Sequence, residues 1–472
     1  MSPLGGSLDW LGLRVLAHGV VGSDVELPVA VWIAQYGAAL VLLISFAVLG
    51  AAWRTPKFEP PYPGPGADAG PDRGVPRGRP LPAWCQRLAD APATRAALRG
   101  VGLVAAAATL IAAAFGPPTA AANPAPTWVY AWFWVGLVPL SLLVGPVWRL
   151  LNPLRTLSAA LAWLSGDPDG EAVRPLPAGL GYWPAAAGLF AFTWLELAYG
   201  EADLPVAVLV FMVVYGLVQL GAATRYGQDW FERGDAFETY STVIGHLSPF
   251  ARGADGRLVL CNPLAHLTTL PRAPGMVAFV SIMLGSTGFD GITRTPWWGN
   301  VTAGWSTWLL VAVGTAGLAA SVGVVALSFT AAVGTGRHLL GDRLPAVAED
   351  GGLARAFVHS LVPIAIGYTI AHYCGFLLLQ GQAGYILASD PLGKGWDLFG
   401  TIGWQVDFSV ANPTAIGLVQ VGAIVAGHLL GAVSAHDRAV AMYPSRATTR
   451  AQYALLGVMV AYTMVGIGLV VG

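Results

Sequence analysis

The sequence predicts an all-α integral membrane protein of about ten transmembrane helices, with interfacial helices on the cytoplasmic side. Three observations carry this. The 472 residues are 55% hydrophobic and only 11% charged, with a mean hydropathy of +0.61, whereas soluble domains are about 25% charged. Apolar runs near the roughly 20 residues that a bilayer crossing needs recur along the chain. Arginine and lysine alternate between successive connecting segments.

The apolar runs fall near 29–52, 97–116, 127–148, 180–200, 204–223, 276–292, 304–333, 353–378, 413–435 and 450–471. Polar residues and glycines interrupt the sixth. Basic residues are abundant in 53–99, 149–174, 225–272, 337–355 and 438–450, and only Arg14, Arg294 and Lys394 fall in the other connecting segments. Because basic loops stay on the cytoplasmic side, the expected arrangement is N-out and C-out, in the plasma membrane. The partner that composition implies is the lipid bilayer; a formal net charge of -1 gives no sign of nucleic-acid binding.

The whole chain, 1–472, reads as a single polytopic domain. Residues 54–96 are rich in proline, glycine and charge, which predicts a flexible cytoplasmic loop without a packed core. "NPLRTLSAALAWL" opens with Asn152 as N-cap and Pro153 at the first helical position. Leu154, Leu157, Leu161 and Leu164 share one face, the pattern of a helix lying in the interface. Residues 224–275 mix an amphipathic stretch with an Asp-Gly turn signal in "ADGRLVL", so a small ordered cap is expected there. No Walker-type phosphate loop is present, which argues against ATP-driven transport by this chain alone.

Ionisable residues in lipid are costly and mark functional positions by default. The span order places Glu196, Asp290 and His372 in the outer half of the membrane, with His18 on the same side ahead of the first span. Tyr368 stands four residues before His372, on the same helix face. Asp290, Glu196, His372 and Tyr368 are therefore the candidate catalytic residues. His372, Asp290, Glu196 and His18 are the candidate ligands of a divalent metal, although no HExxH or HxH spacing is present. The segment "GSTGFDG" around Asp290 predicts a broken sixth helix beside an outward-facing polar cavity, since irregular backbone at that depth must line protein or water. His359 and His372 lie thirteen residues apart, about 20 Å along a helix axis, so they cannot hold one ion. His359 belongs to an inner layer with His428, as helix-to-helix struts. "HDR" at 436–438 anchors a helix end, and His246, His266 and His338 are expected to be solvated. Cys374 is either a soft ligand beside His372 or an apolar helix filler. Cleavage after "VLA" would expose His18 as an amino-terminal copper ligand, but Asp9, Arg14 and the lack of a basic start fit a signal peptide poorly.

The run "LAHGVVGSDVELPVAVWIAQYGAALVLLISFAVLGAAW", with "WRLLNPLRTL", "TWLELAYG", "GHLSPF", "STGFDG" and "DPLGKGWDLFG", resembles a family of actinobacterial polytopic proteins often labelled membrane-bound fenitrothion hydrolase. The resemblance covers nearly the whole chain and implies phosphotriester hydrolysis of an apolar small-molecule substrate. No catalytic motif of that family maps onto particular residues here. Such chemistry generally uses a metal-bound water, and a cavity lined by Trp194, Trp297 and Trp298 would concentrate the substrate. The residues also fit a proton- or ion-coupled secondary transporter, or an accessory subunit of a membrane assembly whose polar residues only knit helices together.

Overall fold

The computed structural model describes residues 27–60, 75–166, 172–340, 352–443 and 448–471, without the side chains of 178 and 337–340. In chain order its main helices are α1 (Val31–Ala52), α2 (Pro92–Phe115), α3 (Pro124–Val144), α4 (Pro153–Leu164), α5 (Trp183–Leu197), α6 (Pro205–Tyr226), α7 (Ala236–Gly245), α8 (Met276–Thr293), α9 (Thr307–Leu340), α10 (Gly352–Leu387), α11 (Pro413–Met442) and α12 (Tyr453–Val471). Among the described residues nine helices, all of these except α4, α5 and α7, are long and apolar enough to cross a bilayer. The chain is an all-α polytopic membrane protein.

The expected fourth span is the exception. Helix α5 has 15 residues and covers about 22 Å at 1.5 Å per residue, less than the roughly 30 Å of a hydrocarbon core. It packs against α8 and α7 rather than standing in lipid. Protein contact lets its ends turn at a depth where lipid-exposed backbone would lack hydrogen bonds.

Two helices form the centre. Residues of α8 and α10 are 72% and 78% buried over their apolar windows, against 17–44% for the other spanning helices. Helix α8 is continuous from Met276 to Thr293, so the expected break at "GSTGFDG" does not occur. Its small residues serve packing instead. A Cβ on Gly285 would lie 2.7 Å from the Val322 backbone of α9, and Ser321 donates to the Gly285 carbonyl at 2.8 Å. Ser286 and Thr287 turn their hydroxyls back onto the Met283 carbonyl, which satisfies them without opening the helix.

The described parts of three basic segments, 53–99, 149–174 and 225–272, meet at one end of the bundle. Arg149 pairs with Glu232 and Arg155 with Glu238, joining 149–164 to 225–245. A three-stranded antiparallel sheet of β1 (Gly78–Pro80), β2 (Phe250–Arg252) and β3 (Leu258–Cys261), in the order β1-β3-β2, joins the first loop to the third. Asp255 and Gly256 make the turn of its hairpin, with Gly256 at φ +74, as the Asp-Gly signal predicts. Residues 224–275 are thus an ordered cap. Within 54–96 the expectation of an unstructured loop fails for β1 and for the helix Ala83–Asp90; residues 61–74 lie outside the described residues. The loop is held because β3 offers its free edge to residues 78–80.

Helix α4 starts as read, with the Asn152 side chain accepting from Leu154 N (3.0 Å) and Arg155 N (3.3 Å). Leu157, Leu161 and Leu164 are exposed, the apolar face an interfacial helix lays into lipid.

Candidate functional site

Asp290 stands in the last turn of α8, and Arg294 follows one turn later. The (i, i+4) spacing puts both on one face, and the guanidinium sits where a helix C-terminus favours positive charge. Arg294 clamps the carboxylate with Nε–Oδ1 at 3.0 Å and Nη2–Oδ2 at 3.1 Å. Helix α10 supplies the rest. His372 Nε2 donates to Oδ2 at 2.7 Å, and the Tyr373 hydroxyl donates to the same oxygen at 3.1 Å. An ionised carboxylate has about four acceptor positions; here three donors crowd Oδ2 and one reaches Oδ1, which keeps room for another. Asp290 is 2% exposed and His372 1%, so a buried charge is paired here as burial requires.

Glu196, in the last turn of α5, is 8% exposed. Its Oε2 is buried without a hydrogen-bond partner. It lies within electrostatic range of Asp290 and Arg294, and of Tyr130, Tyr240 and Tyr373. The helix α5 brings it there by packing along α8.

Asp290 and His372 therefore come together in direct contact, and Glu196 lies within electrostatic range of Asp290. Tyr368 is nearby, its ring centroid 6.2 Å from that of His372, but its buried hydroxyl makes no hydrogen bond and packs beside Gly291. The partner role expected of Tyr368 falls to Tyr373. His18 lies outside the described residues. Sequence reasoning missed Arg294 and Tyr373. Arg294 had a signal, because an arginine four residues after a membrane aspartate and on the otherwise non-basic side needs a reason.

The expected metal does not fit this donor set. Both Asp290 oxygens are taken by protein donors, one of them a guanidinium that would repel a cation. Among the described residues no group of three or more His, Cys, Asp or Glu is spaced to hold an ion. The expected aromatic lining also fails. Trp194 donates to Thr315 Oγ1 at 2.7 Å, Trp298 sits edge-on to Phe289, and Trp297 is 62% exposed, as in an interfacial aromatic belt.

His359 and His428 are not the helix-to-helix struts expected: both ring nitrogens of His359 and Nε2 of His428 are buried without a hydrogen bond, and the one bond of His428 stays within its own helix. His428 Nδ1 donates to the Ile424 carbonyl at 2.9 Å, and His359 is buried in a 3₁₀ turn, Val358–Ser360. The "HDR" residues hold the chain just after α1. Asp437 accepts from Trp53 Nε1 (2.9 Å) and from the backbone N–H groups of Lys57 (2.6 Å) and Phe58 (3.0 Å). Arg438 pairs with Glu59 and donates to the carbonyls of Ala356 (2.8 Å) and Thr268 (3.1 Å). Contrary to the expectation of solvated loops, His246 and His266 stack with centroids 4.9 Å apart. Burial first, and for His246 the neighbouring His266 second, push both imidazoles down, His246 to about 4. The side chain of His338 lies outside the described ones. Cys374 Sγ contacts the Ala371 carbonyl of its own helix at 3.7 Å, as a filler would.

A second buried polar group lies at the basic end. Asp235, the N-cap of α7, accepts from Phe237 N (2.9 Å), Tyr215 Oη (2.7 Å) and Asn152 Nδ2 (2.6 Å). Glu238 takes the Arg155 guanidinium through Nε at 3.0 Å and Nη2 at 2.6 Å. Burial pushes the Asp235 carboxyl up to about 6, against hydrogen bonds led by Tyr215 that hold it down. The D-x-x-E pattern before an apolar run was its sequence signal.

No family model, curated protein or solved structure matches the chain.

Proposed function

We propose that the chain is a proton-coupled secondary transporter in which Glu196 is the proton carrier and Asp290, Arg294 and His372 form its counterpart. One observation carries this reading: a buried carboxyl oxygen on Glu196 without a partner, within electrostatic range of an Asp290 carboxylate that four donors hold. Two such groups share one cation, Arg294. A carboxylate in a low-dielectric setting is costly unless paired, so the charge on each depends on which of them holds the guanidinium. With Arg294 on Asp290, Glu196 takes up a proton. A move of Arg294 toward Glu196 expels that proton and leaves His372 and Tyr373 to hold Asp290. Such exchange of partners at membrane depth is how proton relays couple to helix movement.

In this reading the basic end of the bundle is cytoplasmic by the positive-inside rule. With α5 counted as a tenth, shortened crossing, the Asp290 cluster then lies in the outer half and both ends of the chain are extracytoplasmic. The test is proton movement into proteoliposomes under an imposed potential, followed with an internal pH dye. Wild type should acidify the lumen and Glu196→Gln should not; equal flux in both would sink the proposal.

A hydrolytic reading is favoured by one further detail. His372 Nε2 is fixed on Asp290 while Nδ1 has no partner, the tautomer-setting arrangement of a general base. It predicts nitrophenol release from fenitrothion in detergent without any gradient, lost in His372→Ala. Turnover equal to a protein-free blank would end it.

A further inference from the structure

The helix Ala83–Asp90 stands one residue ahead of α2, at the basic end of the bundle. One of its faces is fixed to the cap. Gln86 donates through Nε2 to the Leu258 carbonyl at 2.7 Å and accepts from Leu258 N at 2.8 Å, so its amide binds the β3 backbone in both directions. Asp90 ties down the end of the helix, accepting from Arg252 of β2 at 2.8 Å and from Arg95 of α2 at 3.1 Å. The helix is therefore held in one orientation between the sheet and the span.

That orientation turns an apolar pair outward. Trp84 and Leu88 each lie two residues from Gln86, and at about 100° per residue both point away from the sheet. They are 63% and 60% exposed, and apolar area of that size is costly to leave in water. Arginines surround the pair. Residues 75–99 hold Arg77, Arg79, Arg87, Arg95 and Arg99 against a single acid, Asp90, which Arg95 and Arg252 already share. Among the described residues Arg79, Arg87 and Arg99 are exposed and pair with no carboxylate.

The length of α2 sets the depth of this surface. Its residues 96–115 cover about 30 Å of axis, the thickness of a hydrocarbon core. Pro92 then lies about 6 Å beyond the core, within the headgroup layer, and the helix Ala83–Asp90 adjoins it there. Helix α4 packs on α2 as well and exposes Leu157, Leu161 and Leu164, so a second apolar helix face belongs to the same end of the bundle.

We infer that the helix Ala83–Asp90 docks on the bilayer leaflet at the basic end, with Trp84 and Leu88 seated in the lipid and Arg87 and Arg99 on anionic phosphate headgroups. An apolar face flanked by arginines is the pattern of an interfacial element. Basic residues directly beside a span are drawn to anionic lipid, and here the helix starts at headgroup depth. The docking is independent of the proton-carrier proposal, and neither stands or falls with the other.

The test places an environment-sensitive NBD fluorophore on the full-length protein through Leu88→Cys, or through Arg257→Cys at the tip of the hairpin, where the side chain is 68% exposed. Both carry Cys85→Ala, Cys261→Ala and Cys374→Ala. The nanodiscs contain phosphatidylcholine with or without phosphatidylglycerol, and a phosphatidylcholine bearing a nitroxide quencher on its headgroup. Strong quenching is expected at 88 and little at 257, with phosphatidylglycerol increasing the first and high salt reducing it. Trp84→Ser should lower the docked-to-undocked ratio at 88 roughly tenfold. Arg87→Gln and Arg99→Gln should each lower it about fivefold in phosphatidylglycerol at low salt. Trypsin cleavage after Arg87 in the wild-type chain gives the same reading should the cysteine-free background fail to fold: it should be slower in anionic than in neutral nanodiscs, with cleavage after Arg257 unchanged. Equal quenching at 88 and 257, or equal cleavage after Arg87 in both lipids, would overturn the docking and leave the apolar pair to a soluble partner. Quenching at 88 that ignores phosphatidylglycerol and salt would overturn the assignment of Arg87 and Arg99 to headgroups.

Discussion

His372 Nε2 and Asp290 Oδ2 lie 2.7 Å apart and join the two most buried spanning helices, α10 and α8, at the level where Arg294 caps α8. The contact sets helix position as well as charge. Removing one member of a buried pair leaves the other uncompensated, at a cost of about 3–5 kcal/mol. Asp290→Ala, which strands Arg294 and His372 together, should therefore lower the thermal midpoint in detergent far more than Glu196→Gln, whose Oε2 has no bond to lose. Equal midpoints for these two variants would show that the cluster does not hold α8 and α10 together.

The seam between α10 and α11 depends on two glycines that face each other. A Cβ on Gly367 would lie 2.4 Å from the Ala423 carbonyl oxygen, and one on Gly427 would lie 2.6 Å from that of Pro363. Neither neighbour is a side chain able to swing away, so the helices must part. Overpacking typically costs about 1–3 kcal/mol. Gly427→Val should reduce the yield of monodisperse protein, and Gly422→Val, one helix turn away with open space around its Cα, should not. Equal yields would show that the seam tolerates separation.

The fold class was legible because spanning length and charge alternation are dictated by the bilayer itself, which acts on every segment separately. The short helix α5 was not, since its 15 residues are tolerated only by burial against α8, a tertiary fact. Asp290, Glu196 and His372 could be picked out because ionisable groups in apolar runs are rare. Their arrangement could not. "GSTGFDG" reads locally as a helix breaker, and only the approach of α9 to Gly285 shows that its small residues are packing surfaces. Tyr368 was chosen over Tyr373 by helix-face logic. Tyr373 and His372 reach one oxygen because Asp290 lies between their directions on a neighbouring helix, which no spacing within α10 encodes.

Arg438 and Asp437 hold the segment after α1 against the basic face. Arg438 is 1% exposed and bridges Glu59 to two carbonyls from separate segments. Arg438→Ala should cost about 3–5 kcal/mol, the range for breaking a buried ion pair, and should expose residues 53–60 to protease. Limited proteolysis in detergent checks this: cleavage there should rise in Arg438→Ala and in Asp437→Ala. An unchanged digestion pattern would show that the strap is held by other contacts.

The stacked His246 and His266 give the cap a pH dependence with a definite sign. Both rings are held neutral at neutral pH, with the His246 pKa down to about 4 and that of His266 lowered as well, whereas an unfolded chain titrates near 6.5. Between those values the unfolded state binds more protons than the folded one, so stability rises with pH across the window. Stability is full above about pH 6.5 and falls on acidification toward pH 4. Each pKa unit is worth about 1.4 kcal/mol, and the partial exposure of His246 reduces this, so the combined loss should be on the order of 2 kcal/mol. Thermal midpoints of wild type at pH 7.5 and pH 5 should differ, and a His246→Asn/His266→Asn double variant should flatten that difference. A double variant with the same acid loss as wild type would place the titrating groups elsewhere, with Asp235 the wrong sign to supply it: its carboxyl, pushed up to about 6, binds its proton more tightly when folded and so favours the folded state as pH falls.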